Sequence, residues 1–334
     1  MQMVTILFLF QEAQQLLTLN FILMERRSFL KKGTTAAAVL SSGAFGLSAM
    51  NAKKEETIIV DKYNYNLKYA PHLGMFQNHA GKDPIDQLNF IADQGFTAFE
   101  DNGMKGRSIE TQEKMAKTMS DRNIEMGVFV AHKIYWKEPN LASGKEEFRK
   151  EFLTQIEESV AVAKRVNAKW MTVVPGHVDL RLNMAYQTAN VVDSLKYASE
   201  ILEKHNLTMV LEPLNFRNHP GLFLSESPQA FQICKAVNSP SCKILFDIYH
   251  QQIQEGNLIP NIEACWDEIG YFQIGDNPGR NEPTSGEINY KNVFKYIHSR
   301  GFDGILGMEH GNSIKGKDGE TAVIKAYQES DKFL

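Results

Sequence analysis

Cysteine is scarce in this chain: Cys234, Cys242 and Cys265 are the three in 334 residues. An odd, sparse set gives no disulfide framework, and none of them has a histidine at zinc-finger spacing. They read as small core or helix residues. A basic excess is also lacking. The formal net charge is −4, which leaves no electrostatic footprint for nucleic acid. No repeat of solenoid period occurs, and no low-complexity tract beyond the N-terminus. No glycine-rich dinucleotide loop follows an early strand, which counts against a doubly wound nucleotide-binding sheet. What remains is ordinary for a globular protein, with 43% hydrophobic and 23% charged residues.

The first sixty or so residues read as separate from the fold. Met24 opens MERRSFLKKG, in which Arg26 and Arg27 precede Ser28, Phe29 and Leu30, and an Ala-rich apolar run follows over 34–49. A basic segment before an apolar run too short for a stable membrane span is the pattern of an export signal. The Arg pair with Phe29 and Leu30 resembles a twin-arginine signal. Residues 24–52 are therefore expected to be that signal, residues 1–23 a mis-called N-terminal extension, and residues 61–334 the folded domain. The expected location is periplasmic, with a retained N-terminal anchor as the alternative.

From residue 67 onward, short apolar runs alternate with amphipathic stretches. The spacing predicts strands at 68–74, 97–100, 125–130, 170–174, 208–212, 243–247, 271–274 and 304–309. Most are apolar on both faces, as parallel strands covered on both sides should be. Between them, apolar residues such as Phe148, Phe152, Ile156, Val160 and Ala163 recur at three- and four-residue steps over 148–166. Similar patterns cover 191–205 and 228–237, and a last helix is expected over 320–333. Eight strands alternating with helices predict an α/β fold, a single (β/α)8 barrel.

In such a barrel the C-terminal strand ends converge on one mouth. This chain puts Glu100 at the end of strand 2, His132 after strand 3, His177 after strand 4 and Glu212 at the end of strand 5. Asp247 ends strand 6, Gln273 lies in strand 7 and Glu309 ends strand 8. Three acids and an amide thus mark four consecutive strands. Buried carboxylates facing one another repel unless a cation sits between them. Oxygen ligands without cysteine suit Mg2+ or Mn2+. His250, three residues beyond Asp247, is expected at the same mouth. So is Arg280, whose place between Pro278-Gly279 and Glu282 argues for a fixed guanidinium that grips substrate oxygens.

The densest stretch is YFQIGDNPGRNEPTSGEINY over 271–290, with Gln273, Asp276, Arg280, Glu282 and Glu287 among Pro278, Gly279, Pro283 and Gly286. So many acceptors around one guanidinium, beside an apolar strand, point to a metal and a polyhydroxylated substrate. Glu287 has no assigned role. Tyr135 and Trp136 are candidate walls of a sugar pocket, or packing residues.

These segments resemble the hydroxypyruvate isomerase family within the xylose-isomerase-like barrels. The resemblance rests on EPLNFRNHPGLFL from Glu212, FDIYHQQIQEGNL from Phe246, QIGDNPGRNEPTSGEINY from Gln273 and GMEHG from Gly307. It implies one divalent metal, Mg2+ or Mn2+, at the positions of Glu212, Asp247, Gln273 and Glu309. It also implies that Glu212 and Glu309 are the catalytic proton carriers, and that His250 and Arg280 contact substrate. Glu282 and His177 join the substrate-contacting set. Ketose 3-epimerases usually place a histidine where this chain has Gln273, so the glutamine favours the isomerase branch.

The implied reaction interconverts a small hydroxy-aldehyde or aldose and a hydroxy-ketone or ketose. One carboxylate removes the proton next to the carbonyl, a cation stabilises the enediolate, and a second group returns the proton. Rival readings are a ketose 3-epimerase on the same site, an abasic-site endonuclease and a non-catalytic sugar-binding barrel. The expected partner is a small carbohydrate or hydroxy-carbonyl substrate, with no nucleic acid and no membrane span once the signal is removed. A homo-oligomer is compatible with this reading.

Overall fold

The computed structural model describes residues 62–334. The expected extension and twin-arginine signal lie outside the described residues. Eight parallel strands run in chain order: β1 (Lys68–Ala70), β2 (Ala98–Phe99), β3 (Glu125–Met126), β4 (Trp170–Val173), β5 (Thr208–Leu211), β6 (Cys242–Asp247), β7 (Ile269–Gln273) and β8 (Ile305–Gly307). One sheet has the order β1-β8-β7-β6-β5-β4, and β2 pairs with β3 in another. Parallel bridges His72–Glu100 and Val130–Thr172 join the two into a ring. All eight strands stand where the alternation placed them. Most end earlier than expected, because the chain leaves the ladder to form the loops of the mouth.

The helices lie between strands: α1 (Pro84–Asp93), α2 (Ile109–Asp121), α3 (Glu146–Val166), α4 (Met184–Glu203), α5 (Ser227–Val237), α6 (Ile248–Gln254), α7 (Leu258–Cys265), α8 (Tyr290–Ser299) and α9 (Gly316–Ser330). Their ends are written in the sequence. Asp83 accepts from the amide of Ile85 just ahead of Pro84, and Ser108 accepts from that of Thr111. Helix α3 carries Glu146 and Glu147 in its first turn and Lys164 and Arg165 in its last, matching its dipole.

Two apolar layers hold the barrel. The larger packs helices against the outside of the strands, with Phe152, Ile156, Leu195, Ile233 and Phe294 among its members. The smaller takes Ala70, Ala98, Val128, Val210, Leu245, Tyr271 and Ile305, with Trp170 packed against it. That is one residue from or beside each of the eight strands, and it fills the barrel interior. The three cysteines are buried thiols in α5, β6 and α7, as expected.

A candidate metal and substrate site at the barrel mouth

Asp247 is the last residue of β6 and the N-cap of α6. Its Oδ1 accepts from the amides of Tyr249 at 2.8 Å and His250 at 3.2 Å. That cap leaves Oδ2 to face the mouth, where it accepts from Arg280 Nη2 at 3.0 Å. The first turn of α6 then delivers His250 beside it, fully buried.

The proton on His250 is fixed by its neighbours. Asn215 Oδ1 accepts from the amides of Arg217 at 3.1 Å and Asn218 at 2.9 Å, so the Asn215 amide nitrogen is the end turned to the histidine. That nitrogen lies 2.6 Å from His250 Nδ1, and the Asn215 backbone N–H donates to the same atom at 3.3 Å. Nδ1 is therefore an acceptor, and the neutral ring carries its hydrogen on Nε2. Nε2 lies 3.6 Å from Asp247 Oδ2 and 4.0 Å from Glu212 Oε1 and has no hydrogen-bond partner. Burial lowers the His250 pKa to about 4, so the ring is a neutral donor at physiological pH. Although His250, Glu212 and Asp247 place ligand atoms within 4.8 Å of one another, this tautomer makes His250 a hydrogen-bond donor toward the mouth and not a metal ligand.

Glu212 follows β5 directly and Glu309 lies two residues beyond β8. Glu309 is held on both oxygens: Asn102 Nδ2 donates to Oε1 at 2.8 Å and Arg280 Nη2 to Oε2 at 2.7 Å. Arg280 Nε also donates to the Glu309 carbonyl at 3.1 Å, and its guanidinium lies over the Tyr249 ring. Burial raises the carboxyl pKa of Glu212, helped by Glu309 and Asp247. Burial raises that of Glu309 too, against the pull of Arg280. Gln273, the last residue of β7, is buried with its Oε1 unpartnered.

Glu212, His250, Arg280 and Glu309 line one cavity of about 260 Å3, together with Asn102, His219 and Trp136. Trp136 stacks on His219, with ring centroids 5.1 Å apart, and so walls the pocket. Tyr135 instead bonds Glu151 through its hydroxyl. Asn102, Asn215 and His219 were not legible as site residues, since a lone Asn or His in a loop carries no period or spacing.

The acids of the 271–290 loop divide between two tasks. Asp276 accepts from the amides of Asn277, Gly286 and Ile288 and so folds the loop on itself. A side chain on Gly286 would lie 2.3 Å from the Asn277 carbonyl oxygen, so the turn requires glycine. Both oxygens of Glu282 accept from Ser313, tying this loop to the one after β8, and Glu287 accepts from Asn277 and Gln252. Only Arg280 of the loop's charged residues lines the cavity, from a left-handed backbone at φ 51°. His177 is also apart: its Nδ1 contacts its neighbour's carbonyl, and its ring occupies the space a side chain at Gly221 would need. His132 accepts from the Val174 amide and is buried edge-on against Phe152.

The donor set fits a hard divalent cation. Glu212 and Asp247 bring carboxylate oxygens within 4.8 Å of each other, Glu309 shares Arg280 with Asp247, and Gln273 Oε1 is a buried acceptor without a partner. Arg280 alone does not balance three converging carboxylates, and a cation would.

The model of the family described as "Xylose isomerase-like TIM barrel" matches residues 88–330. The chain is 34% identical over 167 residues to hydroxypyruvate isomerase of Escherichia coli, a match covering 50% of this chain and 64% of that protein. It is 33% identical over 138 residues to 2-oxo-tetronate isomerase of Cupriavidus necator, covering 41% and 53%. The matches thus span less than two thirds of these relatives. Among solved structures, an AP endonuclease of family 2 from Brucella melitensis superposes with a TM-score of 0.68 at 25% identity, covering 76% of this chain and 96% of that one. The 3-keto-D-glucoside 4-epimerase of E. coli superposes at 0.66 with 19% identity, covering 79% and 98%, a likeness of fold alone. On the family match, with the eight-strand ring beneath it, the chain belongs to the xylose isomerase-like TIM barrels.

Proposed function

We propose that this protein is a divalent-metal-dependent isomerase that interconverts a small hydroxy-aldehyde and the matching hydroxy-ketone. The observation that carries this reading is the convergence of Glu212 and Glu309 on one small cavity with Arg280 and the His250 donor. Two carboxyl groups on one pocket are what moving a proton between adjacent carbons needs. Binding alone does not need two proton carriers.

Glu212, Asp247, Gln273 and Glu309 would hold the cation, which when bound supplies positive charge against the oxyanion that forms as the proton leaves. One of Glu212 and Glu309, entering as the carboxylate, takes the proton from carbon. The other, entering protonated, delivers its own proton to the neighbouring carbon, while the hydroxyl proton passes to the former carbonyl oxygen and exchange with water resets the two carboxyl groups. Arg280 and His250 Nε2 donate to substrate oxygens and fix which carbon faces the base. Trp136 closes the side of the pocket and limits access of water. The similarity to hydroxypyruvate and 2-oxo-tetronate isomerases supports a short substrate of this class. A ketose 3-epimerase would use the same groups, returning the proton to the other face of one carbon.

The test is to strip the purified chain with chelator and assay hydroxypyruvate, related hydroxy-aldehydes and a panel of ketoses. Activity should vanish on chelation and return with Mn2+ or Mg2+, at one ion per chain. Turnover of ketoses alone would move the reading to the epimerase. Three bound zinc ions per chain would revive the nuclease.

Residues 24–52 belong to the same proposal as a twin-arginine export signal that delivers residues 61–334 to the periplasm. Replacing Arg26 and Arg27 with Lys should trap the precursor in the cell, and undiminished export would refute this route.

A further inference from the structure

Glu100 is 1% exposed, directly follows β2, and lines a neighbouring cavity of about 300 Å3 that shares Asn102 and Glu309 with the first. Its Oε2 accepts from the Tyr271 hydroxyl at 3.0 Å. Its Oε1 faces Gln273 Nε2 at 3.5 Å, the long end of hydrogen-bond range. Two glycines keep room for this layer. A side chain on Gly307 of β8 would lie 1.8 Å from Glu100 Oε2, and one on Gly127 would lie 2.3 Å from the Tyr271 hydroxyl. Burying a carboxyl group inside a barrel is disfavoured unless it is partnered or used. Here one oxygen is partnered by the Tyr271 hydroxyl, and the other meets a single amide.

That amide has two unlike ends. Gln273 is a ligand only if its oxygen points to the cation, and a buried amide beside Asp247, its register partner on β6, would otherwise turn its NH2 to that carboxylate. In the structure the NH2 faces Glu100 and Oε1 is the orphan. We propose that Glu100, steadied by Tyr271, is a positioning residue that holds the Gln273 amide with its oxygen directed at the metal site. A proton on Glu100 Oε2 leaves the Oε1 acceptor in place, so the device does not depend on its ionisation. This inference rests on the metal reading above and assigns a task to a buried acid that the proton-transfer scheme leaves unused.

The test is a double-mutant cycle on apo protein titrated with Mn2+ by calorimetry, with thermal melting to confirm that each variant folds. Glu100→Met removes the acceptor at similar volume and should weaken Mn2+ binding by about tenfold or more, as loss of a ligand's supporting bond does. Tyr271→Phe should weaken it in the same direction by less, and carries the test if Glu100→Met does not fold. A carboxylate at position 273 has no wrong end. In the Gln273→Glu background, Glu100→Met should therefore leave affinity unchanged. Equal losses in both backgrounds would mean that Glu100 acts by charge or by fold, and would overturn the proposal. So would unchanged affinity in Glu100→Met and Tyr271→Phe. A wild-type chain that binds no Mn2+ would overturn the metal reading itself, and this inference with it.

Discussion

Arg280 donates from Nη2 to Asp247 Oδ2 at 3.0 Å, so the guanidinium occupies an acceptor that the cation would need. The same nitrogen donates to Glu309 Oε2 at 2.7 Å. Arg280 therefore stands in for positive charge at the mouth and competes for the ligand oxygens. Arg280→Met should bind Mn2+ at least as tightly as the wild type while losing turnover by about a hundredfold, as when a fixed donor to a developing oxyanion is removed. Calorimetry and initial rates on the same preparations check the split. A parallel collapse of metal affinity would make Arg280 a support for the ligands.

Asp247 carries two tasks on two oxygens, the cap of α6 on Oδ1 and the mouth on Oδ2. Asparagine caps helices about as well as aspartate, so Asp247→Asn keeps the first task with its oxygen and turns an NH2 to the second. Melting temperature should change little, while Mn2+ affinity should fall by at least about tenfold for the loss of an anionic ligand. A variant that unfolds readily yet binds metal normally would make Asp247 a structural residue.

The strands were legible because each is a short apolar run between helical periods, and hydrophobic period is a local signal. The strand-end set was legible for the same reason, since Glu212, Asp247, Gln273 and Glu309 each stand in or just after such a run. The loops were not. The acid density of 271–290 reads from sequence as one site, but Asp276 and Glu282 spend their oxygens on loop amides and Ser313. Whether an acid faces substrate or backbone depends on φ and ψ at several residues, which composition does not carry. Asn102 bonding Glu309 and Asn215 setting the His250 tautomer are contacts between residues 207 and 35 positions apart, with no local signature.

Glu320, buried on α9, accepts from the Asn78 backbone N–H at 2.7 Å and side-chain amide at 2.8 Å, and from the His79 backbone N–H at 2.9 Å and Nδ1 at 2.6 Å. Burial alone would raise its pKa, but these bonds from Asn78 and His79 outweigh it and the carboxyl is lowered. The folded value thus lies below the unfolded one of about 4.3. Its contribution to stability is fully present above that unfolded value and is lost as pH falls through the folded one. Glu320→Gln should cost about 2 kcal/mol at pH 7, on the scale of hydrogen bonds to a charged acceptor. In urea unfolding the gap between wild type and variant should narrow as pH drops below about 4. A gap of equal size at pH 7 and in acid would mean that the carboxylate charge contributes nothing.

Glu212 and Glu309 reach one cavity from β5 and β8, and their surroundings differ. Glu309 is bonded on both oxygens, by Asn102 and Arg280, whereas His250 Nε2 stands 4.0 Å from Glu212 Oε1, beyond hydrogen-bond range. The freer carboxyl group has the fewer bonds to break on taking a proton, so on the proposed mechanism Glu212 enters as the carboxylate that makes the first abstraction, and Glu309 enters protonated and delivers its own proton in the return. Glu→Gln at either position keeps an oxygen for the cation and removes the carrier. Each variant should lose turnover by at least about a hundredfold, the low end for a lost acid–base group. Metal occupancy should fall much less. Incubating hydroxypyruvate with each variant in deuterated water and following the C–H signals by NMR separates the steps. Glu212→Gln should stop exchange, while Glu309→Gln should still exchange the proton without completing product. The reverse pattern would swap the two roles, and full exchange with full turnover in both variants would falsify the two-carboxylate mechanism.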